Sequence, residues 1–154
     1  MLMWWCLQPI VAVVQGAATA LPKHQDAGVP ERLQDLRGQD VQITHDEFGT
    51  GYNSLISLHD MPNDINKIDK TFNSRLTPAD RMRRLVRGLL TISDTLGIRT
   101  IAEGVEGWHQ HERLLELGVR AGQGYLYSLP LAADEASALW AADQPLPLAG
   151  RETP

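Results

Sequence analysis

The chain is poor in cysteine and in positive charge, and each shortage excludes a class of protein. Cys6 is the single cysteine, so an internal disulfide is excluded. Lysine and arginine number 14 against 19 aspartate and glutamate residues, which gives a net charge of -5 and no electrostatic footprint for a nucleic-acid polymer. With 43% apolar and 21% charged residues, the composition is typical of a globular protein and not of a disordered one.

The chain also lacks an apolar run long enough to cross a bilayer as a helix, because Gln8-Pro9 interrupts the apolar segment Met1–Val14. Ala18-Thr19-Ala20 resembles a signal-peptidase site, so a secretory leader is the alternative interpretation, but the positively charged start of a leader is missing. We therefore expect Leu7–Val14 to form a strand and the protein to be cytoplasmic, without a membrane span.

What the chain does have is a pair of adjacent carboxylates, Asp46 and Glu47, at the end of a strand-like run. The run Val41–Thr44 alternates apolar and polar residues, which predicts a half-buried strand. Gly49 and Gly51 supply the backbone freedom that a tight loop needs. Two carboxylates at a strand exit suit a hard divalent cation that can also bind a phosphate. An ordinary solvated turn is the alternative interpretation of the pair.

The pattern of strand, polar end and helix recurs along the chain. It predicts strands at 65–68 and 98–102, a weak strand before Gln123, and helices that begin at Thr77-Pro78 and cover 108–117 and 133–142. Strands that alternate with helices predict parallel βα units, whose polar carboxyl ends converge on one face. The predicted fold class is therefore α/β.

Four ordered motifs, HDEFGTGYNSL (45–55), MPNDINKIDKTF (61–72), IAEGVEG (101–107) and QGYLYSLPL (123–131), resemble the second half of an EAL domain, the cyclic di-GMP phosphodiesterase family. The resemblance runs from Leu33 to Glu135, and 7–11 resembles the opening strand of the same domain. It implies a TIM-type βα barrel, and an activity that hydrolyses cyclic di-GMP to linear pGpG with Mg or Mn.

The middle strands of the family and the Glu-Ala-Leu motif that names it are missing from this sequence. Where the motif is expected, residues 14–21 read VQGAATAL, without an acidic residue, and the asparagine and glutamate ligands of the next strands have no counterpart. A complete barrel has about 250 residues and eight strands, whereas this chain has 154 residues. We expect a partial, open TIM-type barrel of four to five parallel strands with flanking helices. The expected parts are an opening strand and irregular linker (1–32), a partial EAL domain (33–143) and a flexible tail (144–154).

The resemblance also implies a role for each matching residue. Glu47 replaces an aspartate of the family, which keeps the charge and lengthens the arm by one methylene. Lys67 matches the lysine beside the attacking water, and it shares the catalytic role with Glu103. The implied metal ligands are Asp46, Glu47 and Glu103; the implied substrate contacts are Asp69, Gln123, Gly124, Tyr125 and Pro130; the implied loop-stabilising residues are Glu106 and Thr50.

The resemblance therefore predicts a truncated EAL-domain protein of cyclic di-GMP signalling with impaired catalysis and weak or absent binding of Mg or Mn. The alternative is a non-catalytic remnant that binds cyclic di-GMP or docks onto another protein. Because an open sheet exposes two edges, we expect a homodimer or another signalling domain to complete the barrel. Asn63 and Asn66 support an incomplete cover, since a buried parallel strand is normally more apolar.

Overall fold

The structure is a computed structural model that describes residues 11–12, 28–49, 58, 61–74, 76 and 81–141, without the side chains of Val11, Ala12, Glu47 and Trp140. Strands and helices follow one another along these residues. In chain order they are β1 (Val11–Ala12), α1 (Val29–Arg37), β2 (Gln42–Phe48), β3 (Ile65–Ile68), α2 (Lys70–Asn73), α3 (Arg81–Thr95), β4 (Arg99–Ala102), α4 (Trp108–Leu117), β5 (Ala121–Gly122) and α5 (Ala133–Ala141).

The strands form one sheet in the order β1-β2-β3-β4-β5, and every neighbouring pair is parallel. Strands that are consecutive in the chain are therefore neighbours in the sheet, as in a βα barrel. This confirms the predicted α/β fold with four to five parallel strands and flanking helices. Of the predicted opening strand Leu7–Val14, the structure describes Val11–Ala12, which form a strand, while the rest of it and the tail 144–154 lie outside the described residues.

The hydrophobic core lies between one face of the sheet and the helices. Phe48, Ile68 and Ala102 point to this face and are at most 1% exposed, because successive side chains of a strand alternate between the two faces. They pack with apolar residues of the helices, among them Phe72, Val86, Leu89, Leu90 and Leu114. Lys67, which lies between Asn66 and Ile68 in β3, projects from the other face.

Two helices match their predicted positions closely. α4 covers Trp108–Leu117 as predicted, and Gly118 ends it with a left-handed φ of 91°, where glycine has no Cβ penalty. α5 covers Ala133–Ala141, within the predicted range 133–142, and Ala142 lies outside the described residues. α3 is described from Arg81, so the predicted start at Thr77-Pro78 lies outside the described residues. Within the described part of the chain, no helix combines the length and the apolar character needed to cross a membrane.

The sequence suggested that Asn66 marks a strand that is not fully covered by other elements. Its presence in β3 has a different explanation. Its side chain is fully buried against α3, where its Nδ2 donates to Ser93 Oγ at 2.9 Å. Its Oδ1 accepts a short hydrogen bond from Asn63 Nδ2. A buried polar side chain with partners on both of its polar atoms is stable in a core. The polar residue in β3 therefore reflects a hydrogen-bond network on the helix side of the sheet.

Candidate functional site

Three of the predicted site residues, Asp46, Lys67 and Glu103, meet at the carboxyl ends of β2, β3 and β4. The Lys67 ammonium lies 3.6 Å from Asp46 Oδ1 and forms a closer ion pair with Glu103 Oε1. The three side chains are largely buried, with 13 to 19% of their surface exposed. Polar side chains from separate strands converge here because parallel strands all end at the same edge of the sheet.

A β-bulge at the end of β2 positions the predicted carboxylate pair. His45 is paired with Asn66 and Phe48 with Ile68, so two residues of β2, Asp46 and Glu47, lie opposite the single residue Lys67 of β3. A bulge of this kind re-aims side chains and is common next to active sites. The sequence predicted the pair at the exit of a strand ending near Thr44, whereas β2 continues through Phe48. The prediction from alternating apolar and polar residues did not include the last residues of β2, because the bulge breaks that alternation.

Burial and charge act against each other on Glu103. Burial raises the pKa of this carboxyl, the Lys67 ammonium lowers it, and repulsion from Asp46 adds to the effect of burial, so that the pKa lies above its ordinary value. A carboxylate with a raised pKa in a cluster of charged groups is typical of functional sites. Structural ion pairs also perturb pKa values, so the shift supports a site without identifying its chemistry.

The predicted substrate-contact segment begins directly after β5 and lies beside the Glu103 segment. Gln123 donates its backbone N–H to Ala102 O at 2.8 Å, and its carbonyl accepts from Val105 N at 3.1 Å. A Cβ at Gly124 would overlap the backbone of Val105, so glycine permits this close approach. Tyr125 is 59% exposed, and Pro130 is also exposed. The exposed Tyr125 and Pro130 are therefore accessible to a ligand.

Asp69, another predicted substrate contact, has a structural role in the fold. It is the N-cap of α2, and its Oδ1 accepts from the backbone N–H of Thr71 at 2.8 Å. Burial raises the pKa of Asp69, but hydrogen bonds from Thr71 and Lys70 outweigh burial and hold the pKa below its ordinary value. α2 itself was not predicted, because four residues are too few to show a helical period.

The remaining predicted residues are placed only in part. Glu106 is exposed, and its backbone N–H donates to Gln110 Oε1 at 2.7 Å. Thr50 and the loop that Glu106 was predicted to stabilise lie outside the described residues. Glu47 lies in β2, but its side chain is outside the described part of the structure. Their predicted roles stay predictions.

Asn73 contacts the site although sequence reasoning missed it. It is 1% exposed at the end of α2, and its Nδ2 donates to the main-chain oxygen of Glu103. The signal in the sequence was a polar residue between two core positions, Phe72 and Leu76, both of which are buried. That signal alone does not point to the site, because Asn73 and Glu103 are 30 positions apart in the sequence.

The site contains oxygen donors of the kind that bind a divalent metal. Asp46 and Glu103 offer carboxylate oxygens, the donors that Mg²⁺ and Mn²⁺ prefer. Across the described ranges, however, no group of three or more His, Cys, Asp or Glu residues is arranged to hold a metal ion. The cation that contacts both carboxylates is the Lys67 ammonium. Asp46 and Glu103 are thus the described side chains of the site that could contribute oxygen ligands to a divalent metal.

The family model described as "EAL domain" matches residues 7–130 of the chain. The chain is 36% identical over 101 residues to the cyclic di-GMP phosphodiesterase RocR of Pseudomonas aeruginosa. The matched region covers 66% of this chain and 26% of that protein. The chain spans between 13% and 26% of the length of eight curated relatives that it matches.

Two solved EAL structures share the fold of this chain. The EAL domain of Mycobacterium smegmatis DcpA matches with a TM-score of 0.69 and 34% identity, covering 73% of this chain and 51% of that chain. The manganese/cy-diGMP complex of Klebsiella pneumoniae BlrP1 matches with a TM-score of 0.60 and 30% identity, covering 65% of this chain and 26% of that chain. These matches confirm the predicted relation to TIM-type EAL barrels, and the chain spans about half of the DcpA domain.

Proposed function

Because this chain belongs to the EAL domain family, we propose that it binds cyclic di-GMP at the carboxyl ends of β2 to β5 and hydrolyses it slowly or not at all. The relation to a cyclic di-GMP phosphodiesterase and to a cy-diGMP complex supports the choice of ligand. The single observation that carries the proposal is the Lys67 ammonium, which contacts both Asp46 and Glu103.

We propose that the site has two parts, a charged part that contacts a phosphate of the nucleotide and a second part that contacts a base. Lys67 offsets part of the negative charge of Asp46 and Glu103, and its ammonium can donate a hydrogen bond to a phosphate. Gln123 offers an amide that can hydrogen bond to a base edge, and Tyr125 offers an exposed ring on which a base can stack. Pro130 would border the same pocket. Gly124 keeps the Gln123 segment close to the Glu103 segment, so the two parts remain adjacent.

The proposal of impaired hydrolysis rests on the metal ligands that the chain offers. Cleavage of a phosphodiester by water needs a nucleophilic hydroxide, and one or two bound metals would supply it by lowering the pKa of water. Asp46 and Glu103 would be the described residues to hold such a metal. Both are already paired with Lys67, and the sequence lacks the glutamate of the family's name motif. Binding therefore has more support than turnover.

The proposal is tested by calorimetric titration of the purified chain with cyclic di-GMP, with and without Mg²⁺ or Mn²⁺, followed by chromatography of the nucleotide. We expect binding without linear pGpG, and weaker binding by Lys67→Met. Arg37→Ala is the matched control, because Arg37 pairs with Asp64 at 2.8 Å near the opposite end of the sheet. Linear pGpG that disappears in Lys67→Met would establish an active phosphodiesterase. Absence of binding would favour the protein-docking alternative.

A further inference from the structure

Asn73 is a buried polar residue whose placement is not explained by stability. One of its polar atoms, Nδ2, donates to the main-chain oxygen of Glu103. The other, Oδ1, is buried and has no hydrogen-bond partner among the described residues. A buried acceptor without a partner costs free energy that an apolar side chain of similar shape would not. The contact with Glu103 is therefore what asparagine adds at this position.

The contact closes a ring of interactions around the candidate site. α2 begins just after β3, so Lys67 and Asn73 lie on one short stretch of chain. Asn73 contacts the backbone of Glu103, and the Glu103 carboxylate contacts Lys67. The backbone N–H of Glu103 is also held, since it donates to Ile68 O at 3.0 Å. Both backbone polar groups of Glu103 are thus bound to the β3–α2 segment that carries Lys67.

The same anchor extends to the segment after β5. Val105 donates its N–H to Gln123 O at 3.1 Å, and its carbonyl accepts from Leu126 N at 3.0 Å. A displacement of the Glu103 segment would therefore displace Gln123 and the exposed Tyr125 that follows it. The Asn73 contact therefore adds a side-chain link to the backbone hydrogen bonds that join the two segments bordering the proposed nucleotide site.

We propose that Asn73 is a positioning residue, which holds Glu103 against Lys67 and thereby keeps the Glu103 and Gln123 segments in the geometry that binds a cyclic dinucleotide. Its effect on the backbone of Glu103 stands on the geometry alone. Its effect on nucleotide affinity rests on the proposed function.

The test replaces Asn73 by leucine, which keeps a branched side chain of similar size and removes the donor. Ser93→Ala is the matched control, because it removes the hydrogen-bond partner of the other buried asparagine, Asn66, which does not contact Glu103. In Asn73→Leu we expect hydrogen exchange at the Val105 amide to rise about tenfold, and cyclic di-GMP affinity to fall about tenfold. In Ser93→Ala we expect a lower thermal midpoint. The affinity for cyclic di-GMP should be unchanged, and so should the exchange rate of the Val105 amide once it is compared with the rate of global unfolding.

The outcomes separate this inference from the proposed function. Unchanged exchange at Val105 in Asn73→Leu would overturn the anchoring of Glu103, whether or not the nucleotide binds. Raised exchange with unchanged affinity would overturn the positioning role in binding. If the wild-type chain does not bind cyclic di-GMP while exchange at Val105 still rises, the proposed function is wrong and the anchoring is supported. Asn73→Val, with a smaller apolar side chain, gives the same comparison should the leucine variant not fold.

Discussion

Among single residues, Lys67 links two acidic residues of the site, Asp46 and Glu103. Its ammonium has three donors and contacts both Asp46 and Glu103. The ion pairs are largely buried, so removal of one partner would leave a charge that water can reach only in part. The electrostatic balance of the site therefore depends on the protonation of Glu103, whose pKa is raised.

Glu103 and Asp69 predict pH effects of opposite sign. Burial raises the pKa of Glu103, so its contribution to stability is fully present below the ordinary pKa of glutamate and is lost as the pH rises through the raised value. Although burial acts in the same direction on Asp69, hydrogen bonds from Thr71 lower its pKa. Its contribution is therefore present above the ordinary pKa of aspartate and is lost as the pH falls through the lowered value.

Urea unfolding of the wild type, Glu103→Gln and Asp69→Asn between about pH 3 and pH 8 measures both effects. Relative to Glu103→Gln, the wild type should lose stability as the pH rises. Relative to Asp69→Asn, the wild type should gain stability as the pH rises through the acid part of the range. Differences that change with pH in the same direction would contradict one of the two assignments.

Gly104 predicts a backbone effect next to the site. Its φ of 62° lies in the left-handed region, and a Cβ there would overlap the Cβ of Lys70. Gly104→Ala should therefore lower the free energy of unfolding by about 1–3 kcal/mol. Gly88→Ala is the control, because Gly88 lies in α3 with no atom within 4 Å of an added Cβ, and alanine there should stabilise by about 0.5–1 kcal/mol. Chemical denaturation measures both, and equal effects would refute the strain at Gly104.

Among the elements, the segment after β5 is attached to α4 by a buried aromatic contact. The Tyr127 hydroxyl lies 3.1 Å from His111 Nδ1, and the ring of Trp108 meets the His111 ring edge-on at a centroid distance of 5.2 Å. Glycine at position 122 leaves room for this contact, since a Cβ there would lie 2.6 Å from the Tyr127 hydroxyl. α4 thus supports the segment that carries Gln123 and Tyr125.

Removal of the Tyr127 hydroxyl should destabilise the protein. Tyr127 is 6% exposed, so Tyr127→Phe loses a hydrogen bond inside the fold and should cost about 1 kcal/mol. Tyr125 is 59% exposed, and Tyr125→Phe should change stability by less than about 0.5 kcal/mol. Urea midpoints with unchanged m-values measure the difference. A Tyr127→Phe variant as stable as Tyr125→Phe would show that the hydroxyl contributes nothing to the attachment.

For the whole molecule, the sheet of the described residues has β1 and β5 as its outer strands. A closed barrel of this class has about eight strands, whereas this sheet has five. Unpaired strand edges template pairing with another chain. We propose, as the sequence suggested, that a second copy of the chain or another signalling domain completes the barrel.

Size-exclusion chromatography with light scattering tests this proposal. The expected result for the purified chain is a mass twice that of one chain at micromolar concentration. Ala121→Lys places a charge on the β5 edge and should shift the equilibrium to the monomer, because lysine on an edge strand opposes edge-to-edge pairing. Pro130→Ala, outside the strand, is the control and should leave the mass unchanged. A tight wild-type monomer would rule out completion by a second copy.

Much of the architecture could be predicted because its signals are local. β3 and α4 occupy their predicted ranges, since β-branched residues and a helical period ending at Gly118 act within a few residues. The meeting of Asp46, Lys67 and Glu103 could also be predicted, because parallel βα units bring strand ends together. The bulge in β2 and the four residues of α2 could not, because each departs from the regular period on which the prediction depends.

Motifs and periodicity along the chain are enough to identify the family, the parallel βα order and the residue types available to the site. How those residues combine depends on contacts that form only in the folded chain. Lys67 contacts both Asp46 and Glu103, Asp69 caps α2, and Asn73 donates to the backbone of Glu103. Packing brings together residues that are distant in the chain, and burial then sets the strength of their charges and hydrogen bonds.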